Sequence, residues 1–386
     1  MSEVEEGKLS VPFVFPYIYW RNLRSYLDMA MAELIDATSE TSGAGEEGGA
    51  PPFPLHVQVS GLDDERANEL GQFVAALVQS LANSLDLAAL EKIWLTNCYR
   101  EAVASIDRGF DASEQLAPTN EVFATGVAMV VHVKRGDEFK CQVVVELGLA
   151  GSALYAEDEA TRTMAIATLV HELAHVHDFG AQCRMMPQIM FKSIPNSLSA
   201  WLYRVIGGVW SEYFACWYAA PIDEATLGPL VETFLKALDS FPEIVRQEII
   251  AYRTSADIDH LIKVVENRYG ALFRFAGYVI GHLEGVKVSL AEARPDDWAK
   301  IQACGFVPTW EALTSALHKM HDAYPNWSGL EAYDDVGNVF CTFLRERGID
   351  LQSRDQGFHI NVPVTRDTIP PYAIGAFDLW MSLQGI

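Results

Sequence analysis

The pattern of hydrophobic and polar residues predicts a small β-sheet in the first half of the chain. A helical pattern at 65–83 is followed by a strand-like pattern at 87–97. Two further strand-like segments, 127–134 and 139–147, flank a turn sequence at 135–137, which is typical of a β-hairpin. Apolar side chains recur at every other position of the last segment, so this pattern indicates a strand with one buried face.

Helical patterns dominate the rest of the chain. The strongest predicted helix spans 158–178, with Asp158 or Thr161 as its N-cap. A very apolar helix at 198–220 follows and is stopped by Pro221. Further helical segments are predicted across 223–290, at 310–324 and at 336–347, before a short strand at 359–364. This order of elements predicts a mostly helical α+β fold, with a small sheet before the helices.

The same pattern suggests three regions. Residues 1–52 would contain an N-terminal helix near 19–35 and an acidic, glycine-rich insertion at 37–52. The insertion has four glycines and no large apolar residue, so we expect it to be flexible. Residues 53–222 would form the core, and residues 223–386 a helical C-terminal subdomain that packs on it.

Composition and charge indicate which cellular compartment and which classes of partner to expect. The chain has 28 basic and 52 acidic residues, and its net charge of −24 disfavours binding to nucleic acid. No run of about 18 uncharged apolar residues predicts a membrane span. The acidic N-terminus does not resemble a secretory signal, and the six cysteines form no CxxC pair. We therefore expect a cytoplasmic protein with reduced thiols and no membrane or nucleic-acid partner; the sequence does not indicate its oligomeric state.

The chemistry is carried by the sequence His171-Glu172-Leu173-Ala174-His175 within the strongest helix. Histidines four residues apart project from one helix face, so both imidazoles can reach one zinc ion at about 2.0–2.1 Å. Glu172 would lie over the open side of the metal and act as general base towards a zinc-bound water. The alternative interpretation is an ordinary pair of helix histidines beside a surface glutamate.

A third ligand must come from elsewhere in the chain. The metzincin extension is excluded, because Asp178 and Ala181 stand where it requires Gly and His. Glu212 is the only acid in residues 179–222 and lies in an apolar helix, where a lone carboxylate is costly unless it is paired or bound to metal. We expect it to be the third ligand. The alternative is a buried glutamate paired with Arg204 or Arg184.

With these residues, the sequence resembles the gluzincin-type zinc metallopeptidases, in which HExxH is followed by a helix carrying Glu-x-x-Ala, here at 212–215. The same segment is similar to the short ImmA/IrrE-like branch. The resemblance implies a zincin-like core, His171, His175 and Glu212 as metal ligands, and Glu172 as general base. The chain departs from the pattern in a long gap of 37 residues between His175 and Glu212, and in Cys216, which replaces the carboxylate of thermolysin-like members.

Supporting roles follow from spacing. Asp178 shares a helix face with His171, so it is a candidate partner for a ligand histidine, with a surface acid or a rival ligand as alternatives. The side chains considered as oxyanion stabilisers are Tyr213, Tyr252, His260 and His282. Segment 139–147, immediately before the helix, would be either the sheet edge along which substrate lies or an internal strand.

The sequence thus predicts a metallohydrolase with one zinc per chain, most simply a peptidase acting on a peptide or protein. Two alternatives stay open. The zinc could serve a sensor or interaction module without turnover. The peptidase could also be latent, since more than 150 residues follow Glu212 and could cover the cleft until a partner opens it.

Overall fold

The computed structural model describes residues 55–110, 120–121, 124–190, 197–355 and 357–384. The N-terminal helix and the glycine-rich insertion predicted within 1–52 lie outside the described residues. The helices are α1 (Asp64–Leu81), α2 (Tyr99–Ser105), α3 (Leu147–Tyr155), α4 (Glu159–Met185), α5 (Leu198–Ala219), α6 (Leu227–Ser255), α7 (Ile258–Val286), α8 (Leu290–Ala293), α9 (Pro295–Ala303), α10 (Val307–Ala323), α11 (Asp334–Glu346) and α12 (Ile374–Gln384). The strands are β1 (His56–Ser60), β2 (Leu90–Thr96), β3 (Asn120–Glu121), β4 (Ala124–Thr125), β5 (Ala128–Arg135), β6 (Glu138–Glu146), β7 (Asp350–Ser353) and β8 (Phe358–Asn361).

The predicted α+β class is confirmed, because a small mixed sheet precedes a long series of helices. The main sheet has the strand order β1-β2-β6-β5. Strands β1 and β6 run parallel to β2, and β5 pairs antiparallel with β6. Gly136 forms the predicted hairpin turn between β5 and β6 with a φ of 62°.

The segment 139–147 was predicted to be either an edge or an internal strand, and the structure shows it to be internal. Strand β6 lies between β2 and β5, so β5 and β1 are the two edges of this sheet. The alternation of β6 is present: Cys141, Val143 and Val145 are buried in the core shared with α1 and α4. The opposite face is covered at Val144, which packs against α2.

The site helices begin where their caps predict. Asp158 caps α4 by accepting a hydrogen bond from the backbone N–H of Thr161. Ser197 caps α5 in the same way through the N–H of Ala200. Helix α4 lies between two hydrophobic cores, because Val170 faces the sheet core whereas Ala174 belongs to the core built by the later helices.

The later helices pack around α5. Buried aromatic side chains from α5, α6, α7 and α11 form one core, with Trp210, Phe234, Phe273 and Phe340 among them. This core contains residues from both sides of position 222, and the domain boundary placed there from the sequence stays a prediction.

Helices α5 and α7 approach each other through glycines. A Cβ atom added at Gly277 would lie 2.7 Å from the carbonyl oxygen of Val209, and one at Gly281 or Gly285 would clash still more closely with a carbonyl of α5. These three glycines are spaced four residues apart, so they form one stripe along α7. The stripe lets the backbones of the two helices touch, which brings the side chains beside it next to Glu212.

None of the described helices combines the length and the apolar character that a membrane crossing requires. All six cysteines are free thiols, of which Cys141 and Cys216 are buried and Cys98 and Cys304 are exposed.

Candidate metal centre

Helix α4 brings His171 and His175 together, as their spacing predicts. The two imidazole rings meet edge to face, with centroids 4.6 Å apart and planes at 86°. Their Nε2 atoms are 3.0 Å apart, and only 16% and 13% of the two side chains is exposed. Both rings therefore aim the same nitrogen at one protected point.

Helix α5 supplies the third donor. Glu212 Oε2 lies 3.2 Å from the Nε2 atom of each histidine. This oxygen is buried and has no hydrogen-bond partner. A tetrahedral ion bound at about 2.0–2.1 Å would separate its ligand atoms by about 3.3 Å, close to the spacing observed here. In the part of the chain that the structure describes, these are the only side chains grouped so that they could hold a metal ion.

The outer nitrogen of each imidazole has a partner of its own. His175 Nδ1 lies 2.8 Å from Ser211 Oγ, and His171 Nδ1 lies 3.8 Å from Cys216 Sγ. Partners of this kind orient metal-binding histidines and fix the ring proton on Nδ1, which leaves the Nε2 lone pair for a metal. Cys216, which the sequence showed in place of the expected carboxylate, thus contacts a candidate ligand.

Asp178 reaches the metal centre through Ser211 rather than by touching a histidine. Its carboxylate accepts hydrogen bonds from Trp210 Nε1 at 2.9 Å and Gln182 Nε2 at 2.7 Å. Burial raises the pKa of Asp178 to about 6, although bonds from Trp210, Gln182 and Ser211 favour its charged form. A serine hydroxyl has one proton, so donating it to Asp178 leaves its oxygen to accept from His175.

The charges of the site shift the pKa values of its acids in opposite directions. Burial raises the pKa of Glu172, which is 7% exposed, and the two histidines oppose that rise only in part. Burial also acts on Glu212, but His175 and His171 outweigh it and hold the pKa of this carboxyl well below its usual range. Glu212 is therefore the charged acid of the pair, whereas Glu172 is the one that takes up a proton more readily.

The candidate metal centre opens into a cavity of about 590 Å³. Glu172 lines this cavity together with the three donors. The edge strand β5 forms one wall at Ala128 to Val130 and at His132, and helices α6 and α7 contribute Leu230, Thr233, Arg274 and Tyr278. The candidate metal centre thus lies in a cavity whose wall is built by side chains from both halves of the chain.

None of the four side chains that the sequence suggested as oxyanion stabilisers lines this cavity. Tyr213 is fully buried, and its hydroxyl donates to Glu284. His282 is buried near Glu224, to whose backbone it hydrogen-bonds, and His260 faces Glu248 at 3.2 Å. Tyr252 does not line the cavity either.

Sequence reasoning missed three side chains that do line it. Tyr278 stacks on His171 with ring centroids 6.0 Å apart. Burial is the main cause that raises its pKa well above the usual range, and the nearby charge of Glu212 adds to the rise. His132 stacks on Phe179 at 3.9 Å, and burial lowers its pKa to about 4. Arg274 is the third.

One sequence signal could have found Tyr278 and Arg274. The glycines at 277, 281 and 285 predict a helix face that another backbone approaches closely. Tyr278 follows the first of these glycines, and Arg274 lies one turn before Tyr278. The glycine spacing does not identify the helix that packs against this face, so it could not have placed Tyr278 and Arg274 beside Glu212.

No protein-family model matches this chain, and no curated protein or solved structure is significantly similar to it. The resemblance to gluzincins thus rests on the motif and on the side chains that it brings together.

Proposed function

We propose that this protein is a zinc-dependent peptidase. The observation that carries the proposal is the convergence of His171, His175 and Glu212 at 3.0–3.2 Å beside a buried Glu172, all lining one cavity. Two imidazoles and one carboxylate form the donor set of catalytic zinc sites, which keep a further coordination position open. Zinc bound there would lower the pKa of a coordinated water and polarise a substrate carbonyl.

Glu172 is the general base in this proposal. It follows the first ligand in the helix and lines the cavity with the metal donors. Burial raises the pKa of its carboxyl, which suits a group that must accept a proton from water and later pass it to the leaving amine. A zinc ion held by the three donors would counteract the rise through its positive charge, so Glu172 can still be charged when the reaction begins.

Tyr278 is the best-placed donor to the developing oxyanion. It stacks on His171, lies close to Glu212 and lines the cavity. Because burial keeps its hydroxyl protonated, this group can donate a hydrogen bond at neutral pH. We assign it the role for which sequence reasoning considered Tyr213, Tyr252, His260 and His282.

The substrate would lie along β5. This strand is one of the two edges of the main sheet, and Ala128 to Val130 and His132 line the cavity. An extended peptide can add a strand to such an edge through main-chain hydrogen bonds. This arrangement would carry the peptide past the metal centre.

The test combines metal analysis with one conservative substitution. The purified protein should contain about one zinc per chain and cleave an unstructured protein such as casein. Glu172→Gln should keep the zinc and lose about 10²–10⁴-fold in kcat, because general acid–base catalysis contributes that much. Glu159→Gln, an exposed change at the start of the same helix, is the matched control and should retain full activity.

Two results would contradict the proposal. One is equal activity of the Glu172→Gln and control variants. The other is bound zinc without hydrolysis of any peptide, which would favour the sensor or interaction module. The cavity supports turnover over a purely structural site, because structural zinc sites are closed by four protein ligands.

Latency stays a second proposal with a specific constraint. The C-terminal helices contribute Leu230, Arg274 and Tyr278 to the cavity wall, so they form part of the site and are not simply a removable cover. A partner would therefore have to rearrange the wall. Constitutive cleavage of casein by the isolated protein would count against latency.

A further inference from the structure

Arg274 is the one basic side chain, apart from histidines, in the wall of the metal cavity as far as the structure describes it. The chain as a whole carries a net charge of −24, so a guanidinium at this place is a local exception. Three acids share the cavity with it: Glu172, Glu212, which faces the two histidines, and Asp178, which accepts bonds from Trp210 and Gln182.

The position of Arg274 relative to the metal centre follows from two adjacent helices. Arg274 lies four residues before Tyr278 on α7, and Gly208 lies four residues before Glu212 on α5. A Cβ atom added at Gly208 would lie 3.6 Å from Arg274 Cδ, so the arginine chain passes over this glycine. Four residues of helix span about 6 Å, which places the arginine about one turn from the metal donors.

That separation corresponds to a short stretch of substrate. An extended peptide advances about 3.3 Å per residue, so about two residues bridge the reacting carbonyl and Arg274. The planar guanidinium of arginine can bind a carboxylate through two parallel hydrogen bonds. Because it has five N–H donors, three remain for other contacts. It can therefore hold a substrate carboxylate while it keeps contacts within the protein.

The overall negative charge does not exclude an acidic ligand. At physiological ionic strength the field of surface charges decays over about 8 Å, whereas groups inside a cavity are screened much less. Repulsion by the surface would slow the approach of an anionic peptide, and Arg274 would stabilise it after arrival.

We propose that Arg274 selects substrates that carry a carboxylate within about two residues of the scissile bond, an inference that rests on the proposed peptidase function. This carboxylate is either the free C-terminus of the peptide or the side chain of Asp or Glu. Arg274 is a specificity-determining residue in this proposal and takes no part in proton transfer.

The experiment measures binding, so that it does not depend on turnover. The zinc-loaded Glu172→Gln protein is titrated with three acetylated tetrapeptides in a calorimeter: Ac-Ala-Phe-Ala-Ala with a free carboxylate, its C-terminal amide, and the amide with Glu at the third position. We expect at least one of the two acidic peptides to bind about 10-fold or more tightly than the neutral amide, because hydrogen bonds to charged groups have that strength.

Substitutions then assign the preference to Arg274. Arg274→Gln should bind all three peptides with equal affinity, and Arg274→Lys should keep part of the preference because it retains the charge without the planar fork. Arg268→Gln is the matched control, since Arg268 belongs to the same helix and lies over the ring of Phe241 rather than in the cavity. Thermal unfolding checks that each variant is folded, and Arg274→Lys carries the comparison if Arg274→Gln is not.

The outcomes separate this proposal from the proposed function. A free-carboxylate preference identifies the C-terminus as the ligand, and a Glu preference identifies the side chain. Equal binding of all three peptides, no binding at all, or a preference that survives Arg274→Gln would overturn the proposal. Hydrolysis by the parent protein without any carboxylate preference leaves the peptidase intact and removes the role of Arg274. A carboxylate preference without hydrolysis by the parent protein leaves the role of Arg274 in binding intact and removes the peptidase function.

Discussion

Helix α5 separates two groups of histidine and acidic side chains that differ in what they can bind. On the side of α4, His171, His175 and Glu212 direct three donor atoms at one buried point. On the side of α10, the exposed His–acid group consists of His318, Glu284 and Asp322. Both groups have the residue types of a metal site, and only the first has the geometry.

In the exposed His–acid group, the two acids contact different nitrogens of one imidazole ring. Glu284 lies 3.5 Å from Nδ1 of His318, whereas Asp322 lies 3.7 Å from Nε2 on the other side of the same ring. Glu284 also accepts the hydroxyl of Tyr213, and 62% of the His318 side chain is exposed. Exposed pairs of this kind contribute little free energy. Convergence and burial of the donor atoms, rather than residue composition, therefore distinguish a candidate metal centre.

The largest difference between the two groups is expected when one acid is removed from each. Glu212→Gln should reduce zinc affinity by more than about 100-fold and abolish hydrolysis, because it removes a ligand and leaves two histidines. Glu284→Gln should leave zinc content and activity unchanged. Zinc bound per chain after dialysis measures both effects, and equal zinc loss in the two variants would show that α5 does not separate the groups as described.

The contact between α5 and α7 gives a second, smaller effect. Gly281→Ala should lower the free energy of unfolding by about 1–3 kcal/mol or more, because the new methyl group would meet the carbonyl of Tyr213. To relieve this contact, α7 would move away from α5. This movement should carry Tyr278 away from His171 and reduce activity. Urea unfolding and casein cleavage are the measurements.

Gly148→Ala is the control for that prediction. Gly148 also lies in a helix, α3, but nothing lies within 4 Å of the position a Cβ would take. Alanine there should be neutral or stabilising by up to about 1 kcal/mol. If the two variants were equally stable, the close approach of α5 and α7 would be wrong.

The smallest expected effect concerns the partner of His175. Ser211→Ala should weaken zinc binding by about 10–100-fold and leave the fold intact, since it removes only the hydrogen bonds of the Ser211 hydroxyl to His175 Nδ1 and to Asp178. Ser199→Ala, an exposed change on the same helix, should bind zinc like the parent. Competition with a chromogenic chelator measures the affinity, and parent-like binding by Ser211→Ala would remove Ser211 from the support of the metal centre.

Local patterns predicted the secondary structure around the site well. The cap of α4 and the hairpin of β5 and β6 depend on residues close in sequence, so both could be predicted from it. The pair His171 and His175 belongs to the same class, because one helix sets their distance. Glu212 could be predicted from a different argument, the cost of a lone acid in an apolar helix.

The rest of the site depends on which elements become neighbours. Periodicity shows that a helix has a buried face but not what covers it, so the contact of α7 with α5 could not be predicted. Tyr278 and Arg274 enter the cavity only through that contact, 66 and 62 residues beyond Glu212. The parallel pairing of β1, β2 and β6 could not be predicted either, because it joins strands that are distant in sequence.

The glycine stripe of α7 also provides a way to recognise relatives of this chain. Wherever two backbones touch, no side chain is tolerated, whereas the neighbouring apolar positions can exchange one bulky group for another. We therefore expect distant descendants of the same ancestor to keep the spacing Gly-x3-Gly-x3-Gly downstream of their HExxH helix, even after most other positions have diverged.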